Sequence, residues 1–402
     1  SYNGYEAFRP HFDALARVGY FKLIPKSESS WKNSLHYVYR IAVWIIVGTY
    51  NLQHIIKAVI ERHSTDQIVN TMFILLTTIN TMMKQSAFNV RSRRIDQVIG
   101  VISGPVFAPQ NPYHEKLMKA NAVAMHRLLL FYISGIFVCG SLWTIFPLVN
   151  HALGEDVDFT AYFPFDTKRS PAFYLVVAYM NIFITFQAYG NVTMDCTIVS
   201  FYAQANIQLK ILRYNLEHLA DNVKEIAGGV KNVRAYTGYK DVDDENFNRV
   251  LQKRFTQCVV RHLEIKRFIL EIESIFAGTL TFQLFVTAWV ICMTVYKIVG
   301  LSLLSAEFLS MAMYLWCMLA QFFIYCYYGT QVRNESEYVI QSAFHANWVS
   351  LSVHFRRKLI ILMENCKRPI IPRTAYVVPI SLETYIAVIR ASYTLFTFLD
   401  RK

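Results

Sequence analysis

Charged residues are scarce in this chain, and that scarcity excludes the most common class of protein. Asp, Glu, Lys and Arg make up 17% of the 402 residues, whereas a soluble globular domain carries about 25%. Apolar side chains make up 54% of the sequence. Such a composition does not fit one soluble domain around a single core, so the sequence predicts an integral membrane protein.

Motifs of enzyme chemistry are also missing. The sequence has no Cys/His spacing typical of a metal site, no nucleophile elbow and no glycine-rich phosphate loop. We therefore expect no enzyme activity, no cofactor and no bound metal.

Apolar runs long enough to cross a bilayer, which takes about 20 residues, recur along the chain. We number them spans 1 to 7: Leu35–Val59, Ile68–Phe88, Leu128–Val149, Ala172–Ala203, Ile272–Val299, Leu303–Tyr328 and Pro379–Leu399. The sequence thus predicts an all-α membrane protein with seven transmembrane helices.

Basic residues are distributed unevenly between the connecting segments. The N-terminal segment and the second, fourth and sixth loops hold 30 of the 40 Lys and Arg residues. The positive-inside rule places these segments in the cytosol, so the N-terminus is predicted to be cytosolic and the C-terminus extracellular. The net charge of +12 therefore indicates topology, and no nucleic-acid partner is expected. The orientation is opposite to that of a G-protein-coupled receptor, whose Asp-Arg-Tyr and Asn-Pro-x-x-Tyr motifs are absent.

The segments outside the spans carry helical patterns. The N-terminal segment, with its scattered aromatics, is predicted to be a partly helical strap on the membrane surface. Loop 4 contains a helical run that continues into span 5, and loop 6 predicts one long amphipathic helix ended by Pro369 and Pro372. Apolar helix faces in the cytosol must pack on something, so we predict a cytosolic helical anchor bundle. The chain is divided accordingly into 1–203, 204–271, 272–328, 329–375 and 376–402.

Span 7 has one face of small or polar residues at helical spacing, which is what the wall of a water-filled pore needs. One helix cannot enclose a pore, so the stripe also predicts an oligomer. Phe398 is the bulky member, where such a pore would close. The stripe consists of Thr384, Ala387, Ala391, Thr394, Phe398 and Arg401.

Aromatic and scattered polar residues gather in the predicted outer halves of spans 2, 3, 4 and 6. A small lipophilic ligand needs apolar walls and one or two hydrogen-bonding groups, whereas each residue alone is explained equally well by helix packing. Taken together they favour a ligand pocket. The candidate residues are Phe73, Thr77, Asn80, Ile136, Cys139, Gly140, Trp143, Tyr179, Phe183, Phe186 and Tyr314.

Several charged residues need a separate explanation. Asp195 and Glu307 lie within spans and must be paired or near an interface, and Arg390 is expected to face a vestibule or a partner's acid. External loop 3, which includes Asp158, is acidic. It either concentrates cations or simply follows the rule that external loops lack basic residues.

Four stretches of the chain resemble the insect odorant receptor family. They read YCYYGTQVRNESEYVIQSAF, KLIILMENCKRPI and SLETYIAVIRASYTLFTFL in the C-terminal third, and YFPFDTKRSPAFY before span 4. The length near 400 residues, the seven spans and the inverted topology agree with the family over essentially the whole chain.

The resemblance implies an odorant-gated, non-selective cation channel of four subunits in the plasma membrane of olfactory neuron dendrites. The last helices would surround one pore, and each outer half would bind a small volatile lipophilic molecule. The chain lacks the extended loop 4 of the shared co-receptor, so it resembles a tuning subunit that assembles with that co-receptor, among membrane lipid and permeant cations. Aligning the family's F-x-V-L gate motif puts Phe398 in place of the usual Val. From the residues alone, a metabotropic seven-helix chemoreceptor and a transporter of lipophiles remain open.

Overall fold

Long helices dominate the architecture, as expected for apolar segments, because a helix satisfies the hydrogen bonds of its own backbone without water. The computed structural model describes residues 2–24, 30–61, 65–154, 157–167, 169–221, 245–299, 306–346, 348, 351–375 and 377–400. The helices are α1 (Arg9–Arg17), α2 (Ser30–Ile60), α3 (Thr65–Val90), α4 (Ser92–Ile102), α5 (Pro112–Ala152), α6 (Ala172–Glu217), α7 (Glu245–Val299), α8 (Ala306–His345), α9 (Val353–Cys366) and α10 (Leu382–Asp400). A short 3-10 helix, Gly4–Ala7, precedes α1, and β1 (Arg373–Thr374) pairs with β2 (Val378–Pro379) as an antiparallel hairpin.

The predicted spans coincide with α2, α3, α5, α6, α7, α8 and α10. Within the described residues, five helices are long and apolar enough to cross a membrane by length and composition, and these are α2, α5, α6, α7 and α8. The helix α3 carries polar residues through its second half, including Lys84, and α10 has 19 residues with Arg390 among them. Polar side chains thus lower the hydropathy of two helices that pack among the others.

Several helices extend well beyond the spans. The helical stretch predicted from Asn111 and span 3 form one helix, α5, whose first turn is capped by the Asn111 side chain accepting a hydrogen bond from His114 N at 2.8 Å. The predicted run of loop 4 continues without a break into span 5 as the 55-residue α7. The boundaries proposed at 203, 271 and 328 therefore lie inside continuous helices.

Two details of the C-terminal third differ from the prediction. Loop 6 forms two helices where one long helix was predicted, because Ser352 begins α9 by accepting a hydrogen bond from Phe355 N at 3.3 Å. Span 7 begins as a helix only at Leu382, since Pro379 belongs to the β-hairpin. Gly329 permits this arrangement, because a Cβ there would overlap the carbonyl of Ile380.

The helix α6 lies at the centre of the molecule and packs against α8, α5 and α7. The N-terminal segment is partly helical, as predicted, but it is not merely a strap on a surface. Phe8 stacks on Phe201 of α6 with ring centroids 4.9 Å apart, and Tyr20 and Phe21 are fully buried. Phe8 and Tyr20 thus pack on α6, whereas Phe21 packs on Phe88 of α3.

The helical parts outside the spans pack together as a bundle, which we call the extended end (204–217, 245–271, 329–345 and α9). Arg213 of α6 bonds Glu335 of α8 at 2.5 Å and Ser342 at 3.0 Å. Phe255 of α7 meets Phe355 of α9 with ring centroids 5.2 Å apart. Charged contacts thus join α6 to α8, and an aromatic contact joins α7 to α9.

One arginine of the extended end is buried. The Arg261 guanidinium donates to Gln208 Oε1 at 2.8 Å and to the Ala108 carbonyl at 3.3 Å. Burial lowers the pKa of Arg261 to about 10, which still leaves the side chain charged at neutral pH. Its hydrogen bonds therefore tie α7 to α6 and to the segment before α5.

Candidate functional site

A cavity of about 240 Å³ opens between α2, α3, α5, α8 and the segment 158–160. It is smaller than the roughly 300 to 1,000 Å³ of sites for drug-sized ligands. Three of the predicted ligand-binding residues, Phe73, Trp143 and Tyr314, line it. The other lining residues are Glu61, Thr71, Ile74, Asp158, Phe159, Thr160, Ser310 and Met311.

The aromatic wall of the cavity is held by one hydrogen-bonded contact. The rings of Phe73 and Tyr314 meet edge to face with centroids 6.1 Å apart. The Thr77 hydroxyl donates to the Phe73 carbonyl at 2.8 Å, so its oxygen accepts from the Tyr314 hydroxyl at 2.7 Å. Thr77 therefore fixes the Tyr314 ring from behind the cavity wall, which joins α3 to α8.

Two carboxylates line the same cavity. Glu61 at the end of α2 bonds the Lys57 ammonium at 2.8 Å and accepts a hydrogen bond from Thr71 of α3 at 2.8 Å. Asp158 is exposed and forms no ion pair within the described part of the chain. Sequence reasoning missed Glu61 altogether, and it noted Asp158 only as part of an acidic loop.

Two further predicted residues, Tyr179 and Phe183, belong to an aromatic cluster between α2 and α6. Their ring centroids lie 4.5 Å apart, and Phe183 stacks on Tyr50 at 5.8 Å. The Tyr179 hydroxyl donates to Gln53 Oε1 at 2.8 Å. None of these four residues lines the cavity, so this cluster joins helices beside it.

The remaining candidates lie at helix contacts. Cys139 Sγ is 3.4 Å from Cys317 Sγ of α8, and a Cβ on Gly140 would be 2.6 Å from Thr185 Oγ1 of α6. The Phe186 ring packs edge-on against Tyr20. Asn80 is buried and Ile136 is half-buried, and neither lines the cavity. Ligand binding by these five residues stays a prediction, and the structure gives each a packing environment.

A buried cluster of polar side chains joins α3, α6 and α8. Lys84 forms an ion pair with Asp195, and both side chains are at most 1% exposed. Lys84 also donates to Asn191 Oδ1 at 2.9 Å, while Gln321 and Tyr325 of α8 donate to the Asp195 carboxylate, the latter at 2.6 Å. The expectation that Asp195 is paired is confirmed, and its partner, Lys84, was not identified from the sequence.

Glu307, the second acid for which the sequence predicts a partner or an interface, has its side chain outside the described part. Within the described ranges, no group of three His, Cys, Asp or Glu side chains lies close enough to hold a metal ion.

The helix α10 is held along one face only. Tyr385 packs on Phe322 and Phe323 of α8, and the Ser392 hydroxyl donates to the Ala288 carbonyl of α7 at 3.4 Å. Thr384, at the base, is half-buried and donates to the Pro379 carbonyl at 2.7 Å.

The opposite face of α10 is exposed in the single chain. It includes Ala387, Ala391 and Thr394 of the predicted stripe, together with Arg390. It is broader than the stripe, because Ile386 and Tyr393 are exposed as well; the side chain of Phe398 and the whole of Arg401 lie outside the described part.

Comparisons with known proteins agree with this architecture. The family model described as 7tm Odorant receptor matches residues 64–393. The chain is 21% identical to Odorant receptor 46a, isoform A, of Drosophila melanogaster over 100% of this chain and 97% of that protein. It is also 21% identical to Odorant receptor Or1 of Anopheles gambiae over 83% of this chain and 81% of that protein.

The solved structure of the olfactory receptor OR5 from Machilis hrabei in complex with eugenol shares the fold. The TM-score is 0.79 at 16% identity, covering 98% of this chain and 97% of that chain. The prediction of an all-α membrane protein with seven transmembrane helices is confirmed. The resemblance noted in the C-terminal motifs is confirmed by the family match, and this chain belongs to the 7tm Odorant receptor family.

Proposed function

We propose that this chain is the odorant-binding subunit of a ligand-gated, non-selective cation channel in the plasma membrane of olfactory neuron dendrites. The observation that carries the proposal is the combination of an aromatic cavity between the helices with a last helix whose exposed face includes the small and polar residues Ala387, Ala391 and Thr394. The cavity would bind a small volatile hydrophobic molecule, and the face of α10 would line water only if other subunits complete a ring. The Machilis hrabei receptor of this fold was solved with eugenol bound.

The proposed orientation has the N-terminus in the cytosol and the C-terminus outside. The extended end then lies in the cytosol, where its helix contacts would hold subunits together. One α10 cannot enclose a pore, so the channel needs several subunits. We infer a heterotetramer with a shared co-receptor, which is what the resemblance to the odorant receptor family implies.

Gating requires that the ligand bind the open arrangement more tightly than the closed one. Tyr314 in the cavity and Tyr325 near the base of α10 lie on the same helix, α8, and Tyr325 lines a small gap beside Thr384. A shift of α8 on ligand binding would therefore reach α10 directly. The exposed residues Ala387, Ala391 and Thr394 would line the pore, with Phe398 at its constriction and Arg401 at its outer mouth.

The cavity is tested by recording odorant-evoked currents from cells that express this chain with a co-receptor. Trp143→Ala removes an aromatic wall, so we expect the half-maximal concentration to rise at least about tenfold, as for the loss of about 1.5 kcal/mol of binding energy. Phe137→Ala, one and a half turns away on the exposed face of α5, is the matched control and should leave the response unchanged. Equal responses from the two variants would place the ligand elsewhere.

The pore is tested by cysteine substitution at Ala391, followed by a charged thiol reagent applied during odorant stimulation. We expect the current to fall at Ala391→Cys and to stay constant at Val388→Cys, which points toward the packed side of α10. A current that needs G-protein signalling and ignores both modifications would favour a metabotropic receptor instead.

A further inference from the structure

The charged groups that line the cavity, among the residues that the structure describes, are both carboxylates. They belong to Glu61 and Asp158, and no lysine, arginine or histidine is among the described lining residues. A carboxylate can accept hydrogen bonds but cannot donate them when ionised. A ligand oxygen without a hydrogen is repelled there, whereas an O–H or N–H group is bound. The lining thus favours ligands that can donate a hydrogen bond over ligands that can only accept one.

Glu61 is held in place before any ligand arrives. Its side chain is 8% exposed, and its two oxygens bond Lys57 and Thr71. A carboxylate has about four lone-pair positions, so each oxygen keeps one for a ligand. Because Lys57 and Thr71 already orient the Glu61 carboxylate, ligand binding loses little further side-chain entropy there.

Nearby cations do not cancel this preference. Lys57 is bound to Glu61, and the ammonium of Lys297 lies 6.0 Å from the centroid of the Phe73 ring without lining the cavity. The indole of Trp143 and the lining hydroxyls offer donors of ordinary strength, while hydrogen bonds to a charged group are the stronger ones. The carboxylates therefore decide the selectivity.

We propose that the ligand of this cavity is a small amphiphile with a hydrogen-bond donor, an alcohol, phenol or amine. Glu61 and Asp158 accept from its O–H or N–H, and its hydrocarbon part packs on Phe73, Trp143 and Tyr314. The inference rests on the proposed function and names the ligand class for that same site.

The test compares matched pairs of volatiles on cells that express the full chain with a co-receptor: 1-hexanol and hexylamine against hexyl methyl ether and hexyl acetate, and a cresol against its methyl ether. We expect the hydrogen-bond donors to act at half-maximal concentrations about 10- to 100-fold lower than those of the ethers and the ester. One hydrogen bond to a charged group changes affinity by about this factor. Asp158→Asn and Glu61→Gln should each reduce that ratio severalfold. Asp166→Asn, in the same loop but outside the cavity lining, should leave it unchanged.

The outcomes separate the ligand class from the function. If ethers and esters act as well as alcohols and amines, the ligand class is wrong and the proposed channel function stands. If no volatile evokes a current while the co-receptor responds to its own agonist, both are overturned. Glu61→Gln disturbs the Lys57 contact, so surface labelling accompanies it. Asp158→Asn touches an exposed residue, so an unchanged ratio in that variant at normal surface levels would also overturn the inference.

Discussion

The two halves of α6 differ sharply, although they form one continuous helix. In the first half, Tyr174, Leu175 and Ile182 are 52%, 67% and 63% exposed, as expected for side chains that face lipid. In the second half almost every side chain from Gly190 to Leu209 is buried. Apolar groups next to lipid gain no hydrophobic stabilisation by moving into protein contacts, so the first half can stay exposed. The second half is surrounded by protein.

This difference separates a region that can rearrange from one that cannot. The cavity lies beside the parts of the helices that are farthest from the extended end, where there are fewer buried contacts. Regions of low local stability are those that move on ligand binding. The second half of α6, with the Lys84–Asp195 cluster and the N-terminal aromatics, is the fixed frame. Substitutions placed in the two halves should therefore have unequal effects on stability.

The largest effect is expected from the buried ion pair. Lys84→Met leaves the Asp195 carboxylate without a cation, and breaking a buried pair on one side costs about 3 to 5 kcal/mol. The double variant Lys84→Met/Asp195→Leu should recover most of that loss, because no isolated charge remains. Thermal unfolding in detergent measures both variants. Arg169→Ala, which breaks the exposed contact with Asp166, is the control and should cost less than about 1 kcal/mol. A single variant as stable as this control would contradict the assignment of a rigid second half.

Two glycines allow a direct comparison, because Gly140 of α5 lies against the first half of α6 and Gly190 belongs to its second half. A Cβ on Gly190 would overlap the buried ring of Tyr20, so Gly190→Ala should destabilise the protein by about 1 to 3 kcal/mol through overpacking. A Cβ on Gly140 would meet the Thr185 hydroxyl, the end of a side chain that can rotate, so Gly140→Ala should cost less. Gly278→Ala, with open space around the position, is the control and should be neutral or slightly stabilising. Equal losses of stability in Gly190→Ala and Gly140→Ala would contradict the proposed difference in rigidity between the two halves of α6.

The last expected effect appears only when the pH is lowered, and it is a pH dependence of stability from His11. Burial, with a smaller contribution from nearby His126, lowers the pKa of His11 from 6.5 to about 4. The folded protein keeps the imidazole neutral, whereas the unfolded chain takes up a proton as the pH falls below 6.5. The stabilisation is complete above that pH and is lost toward pH 4, by about 2 kcal/mol between pH 7 and pH 5. His11→Gln should remove this slope when unfolding is followed across that range, and an unchanged slope would mean that other groups cause the acid sensitivity.

The helices could be predicted from the sequence because their signals are local. Apolar run length placed all seven spans, and the helical pattern after 245 indicated that α7 would continue outside its span. The division of loop 6 was missed because Ser352 is a weak signal within an otherwise amphipathic pattern. The start of α10 was placed too early, since the pairing of β1 with β2 brings together residues that no periodicity connects.

The site was only partly predictable, because a cavity depends on contacts between residues that are distant in the sequence. Phe73, Trp143 and Tyr314 were identified because aromatic residues stand out in apolar spans, yet Tyr179 and Phe183 gave the same signal and lie in a separate cluster. Glu61 was missed because a glutamate at a helix end is ordinary by itself. Only its contacts with Lys57 and Thr71, and its place on the cavity wall, distinguish it.

Composition, run length and charge asymmetry by themselves determined that this protein is a seven-helix membrane protein, and the C-terminal motifs indicated its family. These properties depend on how side chains interact with lipid and water, which each segment does independently. The tertiary structure alone decided that Lys84 neutralises Asp195, which aromatic residues surround the cavity, and that carboxylates line it. Those properties depend on distances between residues far apart in sequence, which are set only when the helices pack.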